Sequence, residues 1–185
     1  MSDEQLIEKI LSGNREAFRL LMEKYQQRVF HVAMGFVHSR QDAEDITQEV
    51  FIRVFRSLES FKEQSLFSTW LYRITLNCSI NHVKKNKRRN LLMDAGDGLM
   101  NLFNRGDEER NAHQQLEATE KEQAIRKAID GLPEKQRKAF ILSKYEELTQ
   151  REIAAIMQTT EGAVEQLLVR AKKQLRKKLA HLVGN

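Results

Sequence analysis

Amide and cationic side chains that can bind DNA recur at helical spacing near the end of the chain. Gln166 and Arg170 are four residues apart, so a helix places them on one face. Arg and Gln can hydrogen-bond to base edges, whereas Lys mostly neutralises phosphates. We therefore expect Gln166 and Arg170 to contact bases and Lys172 and Lys173 to contact flanking phosphates. The same helix begins with Thr160 and Glu161, which complete this candidate DNA-binding set.

A helix-turn-helix is the element that would position this set. Thr149 and Glu152 form a capping-box pattern before a short helix that ends at Met157. A three-residue turn separates it from a longer helix that begins at Glu161. The second helix of such a pair can lie in the major groove of DNA. Its apolar positions would pack inward: Val164, Leu168 and Ala171. An ordinary helical hairpin with a solvated charged face is the alternative.

A second basic cluster lies in the middle of the chain, at the end of another predicted helix. It consists of Lys84, Lys85, Lys87, Arg88 and Arg89. Neutralising about five phosphates would give DNA binding a log–log salt slope of roughly −4 to −5. The alternative is a solvated helix terminus that the helix dipole favours.

Just upstream, the aromatic residues Phe67, Trp70 and Tyr72 could stack on unpaired bases or belong to the core.

The third predicted helix carries an acidic and amide face opposite its apolar stripe. The polar face contains Asp42, Asp45, Gln48 and Glu49, and the stripe is Ala43, Ile46, Val50, Val54 and Leu58. An acidic face in a chain of net charge +5 is a poor surface for DNA. It suits the docking of a protein partner, or it is simply solvated.

The sequence contains no recognisable catalytic constellation. The five histidines are scattered without metal-ligand spacing, and there is no phosphate-binding glycine loop. The one cysteine, Cys78, is flanked by Leu76 and Ile80, which favours a buried, inert thiol. We therefore expect no enzyme activity, no metal and no cofactor.

Composition and helix punctuation favour an all-α fold. The chain has one proline in 185 residues, and Leu, Ile, Lys, Glu and Gln are abundant. Helical patterns fill residues 1–90 and 116–185, which we interpret as two small domains of four helices each. Residues 91–115 lose this periodicity and contain Gly, Asn and Asp, so we interpret them as a flexible linker. The acidic N-terminus and the absence of a long apolar run predict a soluble, cytoplasmic protein.

Taken in order, these motifs resemble the extracytoplasmic-function (ECF) sigma factors of the sigma-70 family. DAEDITQEVFIRVF (Asp42–Phe55) resembles the polymerase-binding helix, and FSTWLYRITLN (Phe67–Asn77) resembles the promoter-melting segment. LPEKQRKAFILSKYEELTQREIAAIM (Leu132–Met157) and VRAKKQLRKKL (Val169–Leu179) resemble region 4. The resemblance covers nearly the whole chain except the linker. It implies sigma region 2 in residues 1–90 and sigma region 4 in residues 116–185.

The resemblance also implies partners and roles for particular residues. The acidic face would bind core RNA polymerase, the final helix would bind the minus-thirty-five element, and an anti-sigma factor is a possible further partner. The minus-ten element would be bound by the segment around the promoter-melting motif: Phe61, Phe67, Trp70, Asn77, Asn81, Lys84, Lys85 and Arg88. A linker of about 25 residues could stretch to roughly 80 Å, enough to span both elements.

Two positions depart from the family pattern. Gln158 stands in the turn of the helix-turn-helix, where the family often has Gly, and a left-handed conformation there would cost about 1 kcal/mol or more. Leu167 stands where the family often has a base-reading arginine, which leaves the target sequence open. Two other classes of protein are also considered: a helix-turn-helix regulator that acts without polymerase, and a helical adaptor with no DNA role.

Overall fold

The computed structural model describes residues 1–61, 65–96 and 113–183, and these residues are almost entirely helical. The helices are α1 (Asp3–Leu11), α2 (Arg15–Val37), α3 (Arg40–Ser57), α4 (Phe67–Gly96), α5 (His113–Asp130), α6 (Glu134–Tyr145), α7 (Gln150–Met157), α8 (Glu161–Lys178) and α9 (Ala180–Val183). A 3-10 turn, Leu58–Ser60, follows α3. The expected all-α fold with helices on both sides of the linker is confirmed. Most of the predicted linker, residues 97–112, lies outside the described residues, and its two ends belong to α4 and α5.

Side-chain caps fix where the helices begin. Ser2 and Thr149 form reciprocal capping boxes with Gln5 and Glu152. Asn14 and Ser39 accept hydrogen bonds from backbone N–H groups in the first turns of α2 and α3. These bonds satisfy donors that a helix start would otherwise leave unpaired. The predicted helix starts therefore have a physical cause in the sequence.

The first half of the chain, α1 to α4, has a core of its own. The apolar stripe of α3 is buried along its length, as predicted, and packs against Leu21, Tyr25 and Val29 of α2. Cys78 is 4% exposed in this core, and burial raises the pKa of its thiol. The expected burial of Cys78 is confirmed, and its low reactivity stays a prediction.

The second half of the chain packs directly on the first half. Apolar side chains of α2 and α4 share one buried cluster with side chains of α6, α7 and α8. The cluster includes Val32, Phe36, Leu76, Ile141, Leu142 and Ile156, each at most 4% exposed. The two halves are therefore in contact in this structure, which an interpretation as two separate small domains does not anticipate.

Candidate nucleic-acid interface

The helix-turn-helix is formed by α7, a tight turn and α8. Gln158 ends α7 in the left-handed conformation (φ 53°, ψ 52°), and its N–H contacts the carbonyls of Ala154 and Ala155. Thr160 then caps α8 by accepting a hydrogen bond from the Ala163 N–H at 3.2 Å. The strained conformation that the sequence suggested at Gln158 is present. The turn closes because α7 and α8 bury apolar side chains together.

The predicted DNA-binding residues of α8 are all on its exposed side. Val164, Leu168, Ala171 and Leu175 form the buried face. The exposed residues include Thr160, Glu161, Gln166, Arg170, Lys172 and Lys173. With about 100° of rotation per residue, Gln166 and Lys173 point most directly away from the buried face, and Val169 and Arg170 lie about 50° to either side of that direction. Sequence reasoning missed Val169, which is 54% exposed and is an apolar side chain on an otherwise charged surface.

Leu167 lies between the buried face and the exposed face of α8. It is half-buried and packs against the cluster that joins the two halves of the chain. A leucine there contributes to packing, which gives this departure from the family pattern a structural reason.

The acidic face of α3 is exposed at three of its four predicted positions. Asp45, Gln48 and Glu49 are exposed, and Glu49 accepts a hydrogen bond from Arg53 at 2.6 Å. Asp42 is only partly exposed and lies 3.2 Å from Nε2 of His82 on α4. Sequence reasoning missed Ile52, which is 45% exposed and continues the line of Asp45 and Gln48 along the helix. The sequence feature that could have identified Ile52 is its apolar side chain, which lies outside the predicted apolar stripe.

The aromatic residues near the start of α4 are mostly packed together. Phe67 is 3% exposed and Tyr72 is 2% exposed, so the structure contradicts an interpretation of their rings as free stacking surfaces. Trp70 and Phe61 are half-buried, with ring centroids 5.1 Å apart. Phe67 packs edge-on against Tyr25 and Phe61 because it anchors the first turn of α4 in the core. Trp70 and Phe61 keep part of their surface available to a base.

The polar residues predicted for the minus-ten element share one side of α4. The exposed members are Asn77, Asn81, Lys84, Lys85 and Arg88, and helical geometry places them within an arc of about 100°. Arg73 and Trp70 lie on the same line, one and two turns before Asn77. We call the line formed by Trp70, Arg73, Asn77, Asn81, Lys84 and Arg88 the α4 stripe. Sequence reasoning missed Arg73, whose role only the fold reveals.

Part of the α4 stripe is in contact with the second half of the chain. Arg73 donates hydrogen bonds to the carbonyls of Ala155, at 2.6 Å, and Ile156, at 3.2 Å, in the last turn of α7. Nζ of Lys84 lies 3.0 Å from Oε2 of Glu134 on α6. Arg73 and Asn77 line a cleft whose opposite wall includes Thr159 and Leu167 of the helix-turn-helix. The two candidate DNA-binding elements are therefore neighbours in this structure.

Within the described residues, no group of three or more His, Cys, Asp or Glu side chains could hold a metal ion. None of the helices in residues 1–61, 65–96 and 113–183 combines the length and the apolar character that a membrane span requires.

Comparison with known proteins identifies the family. Residues 21–89 match the family model for sigma-70 region 2, and residues 122–175 match that for sigma-70 region 4. The RNA polymerase sigma-H factor of Pseudomonas aeruginosa is 35% identical, over 98% of this chain and 95% of the relative. The ECF RNA polymerase sigma-E factor of Escherichia coli is 33% identical, over 99% of this chain and 97% of the relative. The chain therefore belongs to the sigma-70 family, within its ECF group, and is a sigma factor that acts with RNA polymerase in transcription initiation.

Solved structures share its fold. CnrH, solved in complex with the cytosolic domain of CnrY, has a TM-score of 0.69 at 23% identity, covering 97% of each chain. The sigma factor RpoE of Bartonella quintana, solved with the anti-sigma factor NepR, has a TM-score of 0.60 at 22% identity, covering 88% of this chain and 96% of that one. Members of the family are DNA-binding regulators, and a regulator that acts without polymerase is not favoured.

Proposed function

We propose that three separate surfaces divide the work of this sigma factor. The acidic face of α3 binds core RNA polymerase, the α4 stripe with Lys85 and Phe61 binds the minus-ten element, and α8 binds the minus-thirty-five element. The observation that carries this proposal is the charge pattern. Asp45, Gln48 and Glu49 are exposed together, whereas the α4 stripe carries cations and no acid, and cations outnumber acids among the exposed residues of α8. Residues 1–90 and 116–185 correspond to the two functional units, and binding alone, without catalysis, accounts for the role.

The α4 stripe suits unpaired bases of the promoter. Trp70 and Phe61 offer partly exposed rings for stacking, and Asn77 and Asn81 offer amides that can hydrogen-bond base edges. Lys84 and Arg88 follow on the same line and can neutralise the backbone. Phe67 supports this surface from the core.

The outward line of α8 suits the major groove of duplex DNA. Gln166 can form a bidentate pair with adenine, and Val169 can contact the methyl group of thymine. Arg170 lies beside this line, and Lys172 and Lys173 reach phosphates. Thr160 and Glu161 lie at the N-terminus of α8, the end that approaches base edges in helix-turn-helix proteins. The preferred element therefore includes A·T pairs.

The location and the remaining partner follow from this role. A protein that acts with RNA polymerase on promoter DNA works in the cytoplasm. An anti-sigma factor is a further partner we propose for this chain, because the fold neighbour RpoE was solved with one.

Charge reversal on α3 tests the polymerase assignment. Asp45→Lys should lower binding to core RNA polymerase at least tenfold, because it places a cation on the docking face. Thermal unfolding should change little, since exposed substitutions usually shift stability by under about 0.5 kcal/mol. Core polymerase of Pseudomonas aeruginosa and a labelled competitor sigma factor provide the binding measurement.

Glu8→Lys is the matched control, because Glu8 is an exposed acid on a different helix, α1. It should bind core polymerase like the wild type. Equal binding by the Asp45→Lys variant would refute the assignment, and no binding by the wild type would refute the sigma role itself.

A further inference from the structure

The first helix, α1, is tied to α2 by a hydrogen bond that is largely shielded from water. The hydroxyl of Tyr25 donates to Oδ2 of Asp3 at 2.6 Å, and Nζ of Lys24 lies 2.6 Å from Oδ1 of the same carboxylate. Tyr25 is 4% exposed, and the side chain of Asp3 is 16% exposed. Burial and the hydrogen bond to Asp3 raise the pKa of Tyr25, so its hydroxyl stays protonated at neutral pH. A hydrogen bond to a charged acceptor in such a place holds both side chains in one geometry.

The ring of Tyr25 begins a contiguous set of aromatic contacts. Its centroid lies 5.5 Å from that of Phe67, at an interplanar angle of 61°. The Phe67 centroid in turn lies 5.9 Å from that of Phe61 and 5.8 Å from that of Trp70. Aromatic pairs prefer edge-to-face and offset arrangements at such separations. Phe67 is buried, so it links Tyr25 to the two partly exposed rings that we assign to the minus-ten element.

A second set of contacts joins α1 to the same surface. Leu6 and Ile7 of α1 are each 3% exposed and belong to the apolar cluster that contains Phe67. α1 also contacts the 3-10 turn Leu58–Ser60, which directly precedes Phe61. Because a protein core is close-packed and transmits strain, a displacement of α1 also displaces the rings that follow this turn.

We infer that α1 positions the surface that binds the minus-ten element. Asp3 and Tyr25 are positioning residues, which act through Phe67 on the two partly exposed rings. This role rests on the assignment of Phe61 and Trp70 to promoter DNA in the proposed function. The match to sigma-70 region 2 begins at residue 21, so it leaves α1 without an assigned role. A stacking surface that is already ordered loses less conformational entropy when a base binds, so α1 raises the affinity for unpaired bases without contacting DNA.

Three substitutions isolate the hydrogen bond. Tyr25→Phe removes the donor and keeps the ring, whereas Asp3→Ala removes the acceptor. Asp3→Asn keeps an oxygen that can accept from Tyr25, and it should behave like the wild type. Glu4→Ala is the matched control, because Glu4 is an exposed acid in the same first turn of α1. Circular dichroism in the far ultraviolet shows whether each variant has folded.

Fluorescence of Trp70 measures the packing of the rings, because Trp70 is the single tryptophan of the chain. Acrylamide quenches an exposed indole more strongly than a packed one. Tyr25→Phe and Asp3→Ala should each raise the quenching constant about twofold, since a looser cluster exposes more of Trp70. Asp3→Asn and Glu4→Ala should leave it unchanged. The double variant Asp3→Ala/Tyr25→Phe should be no worse than either single variant, because both changes break one bond.

Binding to single-stranded DNA measures the consequence for stacking. The probes are a 20-nucleotide strand of mixed sequence and an abasic strand of the same length, which offers phosphates but no bases. Tyr25→Phe and Asp3→Ala should bind the mixed strand about three- to tenfold more weakly than the wild type does, and the abasic strand equally well. A general loss of stability would weaken both, so the difference between the strands reports positioning.

Unchanged quenching of Trp70 in folded Tyr25→Phe and Asp3→Ala variants would overturn the inference, and so would equal losses on the two strands. A loss in Asp3→Asn as large as that in Asp3→Ala would contradict a role through the hydrogen bond to Tyr25. A wild-type chain that binds both strands equally would instead refute the proposed stacking role of Phe61 and Trp70. The quenching comparison would still decide whether α1 holds Trp70 in place.

Discussion

Gln166 and Lys173 occupy the same outward line of α8 but should affect DNA binding in different ways. Gln166→Ala should cost about 1–3 kcal/mol on the preferred upstream element and flatten base preference at one position. Lys173→Ala should weaken binding to all sequences alike and lower the salt slope by about one unit. Titration of a labelled duplex at several salt concentrations measures both effects.

An unchanged sequence preference in Gln166→Ala would contradict the base-reading role. The element would then be read through DNA shape or by residues nearer Thr160. A base-specific loss in Lys173→Ala would contradict its assignment to phosphate.

Single residues also mark where sequence reasoning succeeded and failed. The left-handed Gln158 was foreseeable because the turn leaves few conformations for that position. The burial of Phe67 and Tyr72 was one of two alternatives that the sequence allowed, because a ring beside polar residues is compatible with both stacking and packing. Arg73 was missed because its partners are backbone carbonyls that lie more than eighty residues away along the chain.

Among the helices, the interface of Glu146 with α4 and α2 should respond to pH. Burial raises the pKa of Glu146, while the hydrogen bond from Tyr72 and the charges of His31 and Arg28, which face the same carboxylate, act against that shift. A chain whose halves are packed together therefore binds the Glu146 proton more tightly than a chain whose halves are separated. Packing between the halves should strengthen as pH falls through this raised pKa, and the effect should be complete below the ordinary Glu pKa of 4.5.

Small-angle X-ray scattering between pH 8 and pH 5 measures this effect. A chain of this length whose halves are packed together should have a radius of gyration of about 16 Å, and separation of the halves increases it. The wild type should become more compact as pH falls. Glu146→Gln can still accept the Tyr72 hydrogen bond and should be compact throughout.

Glu134 lies at another contact between the two halves, and it should respond to pH in a lower range than Glu146 does. Hydrogen bonds from Lys138 and then Lys84 lower the pKa of Glu134 below its ordinary value of 4.5, so its contribution is lost only at lower pH. A Glu146→Gln variant with the same pH response as the wild type would exclude Glu146 as the group responsible.

The helices themselves were largely predictable from sequence, and their arrangement was not. Caps at Ser2, Asn14, Ser39, Thr149 and Thr160 each coincide with a helix start. Apolar periodicity correctly gave the buried face of α3. It could not predict that α2 and α4 pack against α6 and α7. The spacing of apolar residues such as Phe36 and Leu76 shows that they are buried, but it does not show which half of the chain covers them.

At the scale of the whole molecule, one chain combines a polymerase-docking face with two DNA-binding elements. In this structure, α7 and α6 contact Arg73 and Lys84 of the α4 stripe, and the acidic face of α3 is exposed. The proposed docking face for core polymerase is therefore accessible in this arrangement.

Run-off transcription across a genomic promoter library tests the central claim most directly. Core RNA polymerase with the wild-type chain should initiate at a limited set of sites that share an upstream and a downstream element. Asp45→Lys should abolish these transcripts, and Gln166→Ala should relax the shared upstream element while leaving the downstream one. Transcripts that are no more specific than those of core polymerase alone would contradict the account.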